Sequence, residues 1–129
     1  MKSEPDVFSI NDLKGKKSEA WDGVRNYQAR NFMRAMKKGD VFLFYHTGDE
    51  RSVVGIGKVV KEHHPDPTDE TGAFSCVDVA YQETFKNKVP LSKIKANPAL
   101  SSLKLVTHSR LSVMQVSAKE WETILEMSR

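Results

Sequence analysis

The fold is decided by the stretch DVFLFYHTGDERSVVGIGKVVKE, residues 40–62. Asp40–His46 is a run of large apolar and aromatic side chains, which predicts a strand that is buried on both faces. A Gly-Asp pair then predicts a hairpin turn, and Ser52–Glu62 alternates as a second strand. Gly55 and Gly57 within this strand indicate close backbone approach, or a bend of the kind found at a barrel corner.

Shorter elements surround this hairpin. Residues 63–72 carry two prolines and several acids, so we predict a loop there. A capping box, Ser117 with Glu120, marks the start of the last helix. We predict two more strands and four helices: Ala73–Gln82 and Lys86–Val89, then Ile10–Leu13, Asn26–Met36, Ser92–Asn97 and Ala118–Met127. This pattern predicts an α+β fold, a small barrel or strongly bent sheet with helices at its ends, in one domain over residues 1–129.

Composition excludes several classes of protein. The chain has 129 residues, 39% of them hydrophobic and 29% charged, which is typical of a globular domain rather than a disordered chain. Its one cysteine, Cys76, excludes an internal disulfide and a thiolate zinc site, and we expect a reducing, cytoplasmic location. The longest apolar run, Val41–Tyr45, is too short to cross a membrane, and the first residues do not resemble a secretory signal.

Charge is unevenly distributed along the chain. Residues 23–39 carry five basic and no acidic side chains, and residues 84–119 carry seven basic and none acidic. Between them, residues 40–83 carry nine acidic against three basic side chains. If the two basic blocks meet in space, they form a surface that attracts a phosphate backbone. Solvated lysines on the rim of a barrel are the alternative.

Residues 21–31, WDGVRNYQARN, are the most informative for function. Trp21 stands beside Asp22 and Asn26, and a flat aromatic wall next to hydrogen-bonding groups is suited to holding an extruded base. Trp21 packed in the core is the alternative. Arg30, Arg34 and Lys38 follow at helical spacing as one basic stripe, which predicts either phosphate contacts or a solvated helix face.

Two other sets of reactive side chains carry less weight. His63, His64 and the acids after them have metal-ligand chemistry, but a proline-rich loop offers no regular spacing that would converge them, so we expect a solvated acidic loop and no metal. Cys76 lies among alternating strand residues, so we expect it to be buried and inert. We expect no cofactor.

Several motifs together resemble one known family. They are Lys2-Ser3-Glu4-Pro5, the segment Phe8–Leu13, and the segment Trp21–Phe32 that begins Trp-Asp-Gly-Val-Arg-Asn. The resemblance continues in order through Phe44-Tyr45-His46, Pro65-Asp66-x-Thr68, Val77-Asp78-Val79, Val89-Pro90-Leu91 and Arg110-Leu111-Ser112-Val113. With these motifs, essentially the whole chain resembles the EVE domain.

This resemblance implies a PUA-like fold, a small mixed β-barrel flanked by helices. It also implies a non-enzymatic monomer that reads a modified cytosine or adenine in DNA or RNA, without a membrane and with any effector supplied by another protein. The base pocket implied by the motifs comprises Lys2, Ser3, Trp21, Asp22, Asn26, Tyr45, His46, Thr47 and Phe74. The implied phosphate contacts are Arg25, Arg30, Arg34, Lys37, Lys38 and Arg110.

The chain departs from the family pattern at two positions, and two other functions stay open. Met1 stands where the family usually has a Tyr-Trp-Leu-type strand, and Phe74 stands where tryptophan is frequent, so we expect a thinner aromatic lining. One alternative is a metal-independent ribonuclease of the ASCH type, which would use Lys2, Tyr27 or Tyr45, and Arg110. The other alternative is a pocket for a free nucleoside or small molecule.

Overall fold

The computed structural model describes all residues, 1–129. Five strands form one sheet. They are β1 (Lys2–Ser3), β2 (Glu19–Ala20), β3 (Val41–His46), β4 (Ser52–Pro65) and β5 (Ser75–Pro90). Five α-helices and one short 3₁₀ helix, Pro98–Leu100, surround the sheet. The α-helices are α1 (Ile10–Lys14), α2 (Tyr27–Ala35), α3 (Leu91–Ala96), α4 (Lys104–Thr107) and α5 (Ala118–Met127).

The sheet is open and mixed. Its strand order is β1-β3-β4-β5-β2, with β1 parallel to β3 and every other pair antiparallel. Strands β1 and β2, each of two residues, form the two edges and do not pair with each other. The α+β class is therefore confirmed, whereas a closed barrel is not observed.

The β4–β5 hairpin is longer than the sequence pattern predicts. Residues 63–65 continue β4 rather than beginning a loop, and the two strands predicted within residues 73–89 are one strand of 16 residues. Repeated register shifts between β4 and β5 allow this pair to bend. The first half of β5 thus buries Val77 and Val79 in one core, and the second half buries Phe85 and Val89 in another.

Each face of the sheet carries its own hydrophobic core. On β3, Phe42 and Phe44 belong to the core beneath α1 and α2, whereas Leu43 and Tyr45 belong to the core beneath α3, α4 and α5. The prediction that this strand is buried on both faces is confirmed. A side chain at Gly57 would collide with the ring of Phe42, which confirms the predicted close approach at this glycine.

Capping side chains position the helices. Ser9 and Asp12 form a capping box on α1, and Ser117 and Glu120 form one on α5. Helices α2 and α5 match the predicted positions to within one residue. Residues 111–116 form no strand, and the Ser112 carbonyl accepts a backbone hydrogen bond from the Lys2 amide. None of the helices has the length and apolar character needed to cross a membrane.

Candidate functional site

An exposed turn of five residues, Asp22–Asn26, leads from the buried Trp21 into helix α2. Gly23 has φ of 79°, a conformation that favours glycine. Asn26 caps α2, because its Oδ1 accepts a hydrogen bond from the Ala29 amide at 2.9 Å. The Asn26 amide nitrogen and the Asp22 carboxylate have no hydrogen-bond partner within the protein. The turn therefore presents one donor group and one acceptor group to solvent.

A buried carboxylate, Asp66, joins this turn to the loop between β4 and β5. Oδ2 accepts from the Gly23 amide at 2.8 Å and from Arg25 Nη1 at 3.1 Å. Oδ1 accepts from the amide and the hydroxyl of Thr68 at 2.7 and 2.6 Å. Burial alone raises the pKa of Asp66, but the hydrogen bonds from Thr68, Gly23 and Arg25 outweigh it and lower this pKa to about 2.

Four side chains stack in sequence beside the turn, and we call them the aromatic–arginine stack: the exposed Arg25 and Tyr27 and the half-buried Phe74 and Arg30. Phe74 and Tyr27 stack with ring centroids 5.0 Å apart and planes 25° apart. The Arg25 guanidinium lies 5.3 Å from the Phe74 centroid, and the Arg30 guanidinium lies 4.8 Å from the Tyr27 centroid. Tyr27 is 60% exposed, so this stack is a surface feature.

Trp21, the predicted pocket wall, lies in the core and is only 8% exposed. Its ring makes edge-to-face contacts with Phe8, Phe42 and Phe44 at centroid distances of 6.2, 6.0 and 5.5 Å. Its backbone amide donates to Val77 in β5. We call these four rings the Trp21 cluster. No ring contact joins Trp21 to Phe74, so the two predicted walls belong to separate aromatic groups.

The predicted site residues of β1 and β3 lie side by side, with Lys2 opposite Tyr45 and Ser3 opposite His46. The Ser3 hydroxyl donates to the Phe8 carbonyl at 2.6 Å, and the Thr47 amide donates to the Ser3 carbonyl. His46 is buried. Its Nε2 accepts from the Ile10 amide at 3.0 Å, and its Nδ1 lies 2.8 Å from Glu50 Oε1.

These contacts occupy the Ser3 hydroxyl and both nitrogens of His46. The two side chains therefore hold the start of α1 against the sheet. Of the residues predicted for the base pocket, Asp22 and Asn26 are the two that leave polar groups open to solvent at the turn.

Some of the predicted basic residues form hydrogen bonds within the protein, and others are exposed without a partner. Arg30 and Arg34 both donate to the Ala73 carbonyl, and Arg34 also donates to the Ser75 hydroxyl. They fasten α2 to the start of β5. In contrast, Lys37, Lys38 and Arg110 are exposed, and their side chains have no hydrogen bond or ion pair. Of the twenty lysines and arginines, three form ion pairs with a carboxylate: Lys16, Arg25 and Lys88.

The two basic blocks meet at α2 and α4. The ammonium group of Lys104, from the second block, lies 5.9 Å from the ring centroid of Phe32 on α2. Lys2 Nζ donates to the Ser109 carbonyl at 2.9 Å, next to Arg110. Lys104 thus brings one cation of the second basic block beside the helix that carries the first block.

A separate groove of about 600 Å³ opens between β3, the end of α2 and helices α4 and α5. Hydrophobic side chains form most of its lining, including Phe32, Leu105 and Trp121. Neither Trp21 nor any residue of the Asp22–Asn26 turn lines it. The groove and the turn are therefore two different features of the molecule.

His64 and Asp66 correct the prediction of a solvated acidic loop. His64 Nε2 lies 2.9 Å from Asp78 Oδ1, and the Cys76 sulfur lies 3.7 Å from His64 Nδ1. Cys76 is fully buried, as predicted, and burial together with the nearby carboxylates raises the pKa of its thiol to about 11. No group of three or more His, Cys, Asp and Glu residues converges as a metal site.

Sequence reasoning treated Asp66 as a solvated acid because prolines and other acids surround it. The signal that could have revealed its role is the spacing Asp66-x-Thr68, since an aspartate often accepts hydrogen bonds from a residue two positions later. Asp66 also accepts hydrogen bonds from Gly23 and Arg25, which lie 43 and 41 residues away in the sequence. No local pattern indicates those contacts.

Known proteins resemble this chain along nearly its whole length. Thymocyte nuclear protein 1 from Homo sapiens is 35% identical over 161 residues, covering 98% of this chain and 72% of that protein. A Pseudomonas syringae protein of known structure is 45% identical with a TM-score of 0.94, covering 100% of this chain and 97% of that one. Human THYN1, solved in complex with 5-methylcytosine containing DNA, is 36% identical with a TM-score of 0.93. The match covers 100% of this chain and 95% of that one. The family model described as the EVE domain matches residues 1–127, and the chain belongs to this family.

Proposed function

We propose that this protein binds nucleic acid without catalysis and reads a modified base, with methylated cytosine in DNA as the first candidate. The observation that carries this proposal is the match along the whole chain to human THYN1, which was solved with 5-methylcytosine containing DNA. Similarity of fold and sequence at this level supports a shared class of ligand. Discrimination among bases must come from the side chains of this chain.

The Asp22–Asn26 turn offers the chemistry that a cytosine requires. The Watson–Crick edge of cytosine presents an amino donor and two acceptors, and carboxylates pair well with that amino group. The open Asp22 carboxylate accepts from the amino group, and the open Asn26 amide nitrogen donates to the ring nitrogen or carbonyl. A base read in this way leaves the helical stack, since its pairing edge faces the protein.

The unpaired cations supply affinity that does not depend on sequence. Lys37, Lys38, Lys104 and Arg110 carry no ion pair, so they are available to replace counterions along the phosphate backbone. This contribution weakens as salt increases, and it acts equally on modified and unmodified strands. The pairing edge is the same in cytosine and 5-methylcytosine, so the 5-methyl group decides which base is extruded and the turn then holds that base. The cations provide general affinity for either strand.

The test is fluorescence anisotropy with matched oligonucleotides that differ only in one methylated cytosine, as single- and double-stranded DNA and as RNA, at two salt concentrations. We expect tighter binding of one methylated strand, with a preference that persists at the higher salt. Asp22→Asn removes the charged acceptor, and we expect it to weaken binding of the methylated strand about tenfold, equivalent to one good hydrogen-bonded contact. Equal affinity for methylated and unmethylated strands at both salt concentrations overturns the proposal.

Two further variants separate the turn from the rest of the surface. Asn26→Ser keeps a capping hydroxyl for α2 but removes the amide donor, so we expect weaker binding of the methylated strand with little change in stability. Asp49→Asn is the matched control for Asp22→Asn. It removes one exposed carboxylate in the β3–β4 turn, and we expect it to leave the preference for the methylated strand unchanged.

A metal-independent ribonuclease is a second candidate, because the structure brings two of its proposed residues together. Lys2 Nζ lies 5.9 Å from the Tyr45 ring centroid, and burial lowers the pKa of Lys2, which increases the fraction of its amine that is unprotonated and able to accept a proton. Burial raises the pKa of Tyr45, which disfavours its phenolate. Cleavage of the RNA in the binding assay, abolished in Lys2→Met, would support this candidate, and intact RNA excludes it.

A further inference from the structure

The carboxylate of Asp66 makes none of the contacts to the base described above, because its side chain has no exposed surface. It cannot touch a nucleic acid directly. All four of its hydrogen bonds are made inside the protein, two to Thr68 in its own loop and two to the Asp22–Asn26 turn. A buried charge is costly unless hydrogen bonds compensate for the lost solvent, and these four contacts supply that compensation.

Residues 22–25 make more hydrogen bonds to this carboxylate than to any other group outside the turn. At one end the Trp21 amide is held by β5, and at the other end Asn26 caps α2. Between these ends, residues 22–25 form hydrogen bonds to another segment of the chain only through Asp66 and Thr68. Gly23 donates its amide to Asp66, and Arg25 divides its guanidinium between Asp66 and Thr68.

We propose that Asp66 is a positioning residue for base recognition, which holds the Asp22–Asn26 turn in the shape that presents the Asp22 carboxylate and the Asn26 amide together. This inference rests on the proposed function, since it concerns how the same turn achieves selectivity. Two recognition groups four residues apart act as a pair only if the backbone between them is fixed. The hydrogen bond from Gly23 fixes that backbone at its left-handed residue.

The experiment compares dissociation constants of the full chain for methylated and unmethylated DNA, using wild type, Asp66→Asn and Thr68→Val. The Asp66→Asn substitution keeps the shape of the side chain but removes the charge that binds Gly23 and Arg25 together, and we expect the preference for methylated DNA to fall at least fivefold. Thr68→Val removes the hydroxyl that donates to Asp66 and accepts from Arg25. It leaves both contacts of Asp66 to the turn, so we expect a smaller loss. Binding of unmethylated DNA should change less than twofold in both.

The ratio of the two dissociation constants distinguishes positioning from stability, because partial unfolding lowers the active fraction for both ligands equally. Asp12→Ala is the matched control, since it breaks the capping box of α1 without touching the turn. We expect it to lower the melting temperature and to keep the ratio.

Each outcome bears on one of the two proposals. If folded Asp66→Asn and Thr68→Val both keep the wild-type ratio, the positioning role is overturned while the proposed function stands. If wild type itself shows no preference, both are overturned. Should Asp66→Asn fail to fold, the ratio for Thr68→Val and the amide exchange rate of Gly23 in that variant decide. A lower ratio with faster Gly23 exchange supports the positioning role, and a preserved ratio with faster Gly23 exchange overturns it.

Discussion

Two aromatic groups each take one ring from the segment Trp21–Tyr27 and serve opposite purposes. The Trp21 cluster is buried, and its rings meet edge to face. The aromatic–arginine stack is exposed, and its two rings meet face to face between two guanidinium groups. Both arrangements are favourable for aromatic pairs, so the difference between the two groups is their burial: Trp21 is 8% exposed and Tyr27 is 60% exposed. The motif therefore contributes to the fold through Trp21 and to the surface through Tyr27.

This difference matters for any experiment on the predicted pocket. Substitution of Trp21 disturbs both the core and whatever the turn binds, so lost binding alone does not identify a pocket wall. Substitution at Asp22 or Asn26 changes exposed polar groups and leaves the core intact. The comparison between the two aromatic groups is sharpened by three variants, ordered by the size of the expected effect.

The largest effect is expected for Trp21→Ala. Removing a buried indole that contacts three phenylalanine rings leaves a cavity, and we expect the free energy of unfolding to fall by about 3–5 kcal/mol. Urea denaturation followed by circular dichroism measures this change. A loss below about 1 kcal/mol, together with loss of the preference for methylated DNA, would show that Trp21 acts mainly as a wall for the base.

An intermediate effect is expected for Asp66→Asn, because Asp66 joins the turn between the two aromatic groups to the loop that carries Phe74. We expect a loss of about 2 kcal/mol near neutral pH, the usual contribution of hydrogen bonds to a charged group. The folded-state pKa lies below the unfolded value of 3.8, at about 2, so this contribution is complete above the unfolded value and disappears as the pH falls towards 2.

The measurement is a series of urea titrations of wild type and Asp66→Asn between about pH 6 and pH 2. The two stability curves should converge as the pH falls through the range between about 4 and 2. A difference that stays constant down to about pH 2 would mean that the charge of Asp66 does not contribute to stability.

The smallest effect is expected for Tyr27→Ala. The side chain is exposed, and its stacking contributes about 1 kcal/mol. Tyr27→Phe should have no measurable effect, because the hydroxyl has no hydrogen-bond partner in the protein. Thermal denaturation of the two variants tests this directly. A loss for Tyr27→Ala as large as that for Trp21→Ala would erase the distinction between the surface stack and the core cluster.

Features that depend on local sequence were predicted well. Helices α2 and α5 have clear apolar spacing and caps, and β3 has a continuous apolar run, so their positions follow from nearby residues alone. The sequence pattern divides the long strand β5 because Gln82, Glu83 and Thr84 are polar in succession, and all three are exposed in the structure. The β-bulges between β4 and β5 bend the two strands between the two cores. Such a bend interrupts the alternation of buried and exposed residues without ending the strand.

Features that depend on distant contacts were not predictable. The roles of Asp66, Arg30 and Arg34 arise from partners about 40 residues away, and a single sequence does not record such pairs. The motif predicts hydrogen-bonding groups at Asp22 and Asn26, and the structure places both residues on an exposed turn. It could not distinguish an arginine that fastens a loop from a lysine that is open to solvent, because both appear as a basic side chain on one helix face.

The bent β4–β5 hairpin has a consequence for how the molecule melts. Both cores are built on the same two strands, with Val77 and Val79 serving one and Phe85 and Val89 serving the other. Separation of these strands exposes the sheet side of both cores at once, so we expect the two cores to unfold together. Heating should therefore produce a single cooperative transition, and a cavity made on either side should lower the same midpoint.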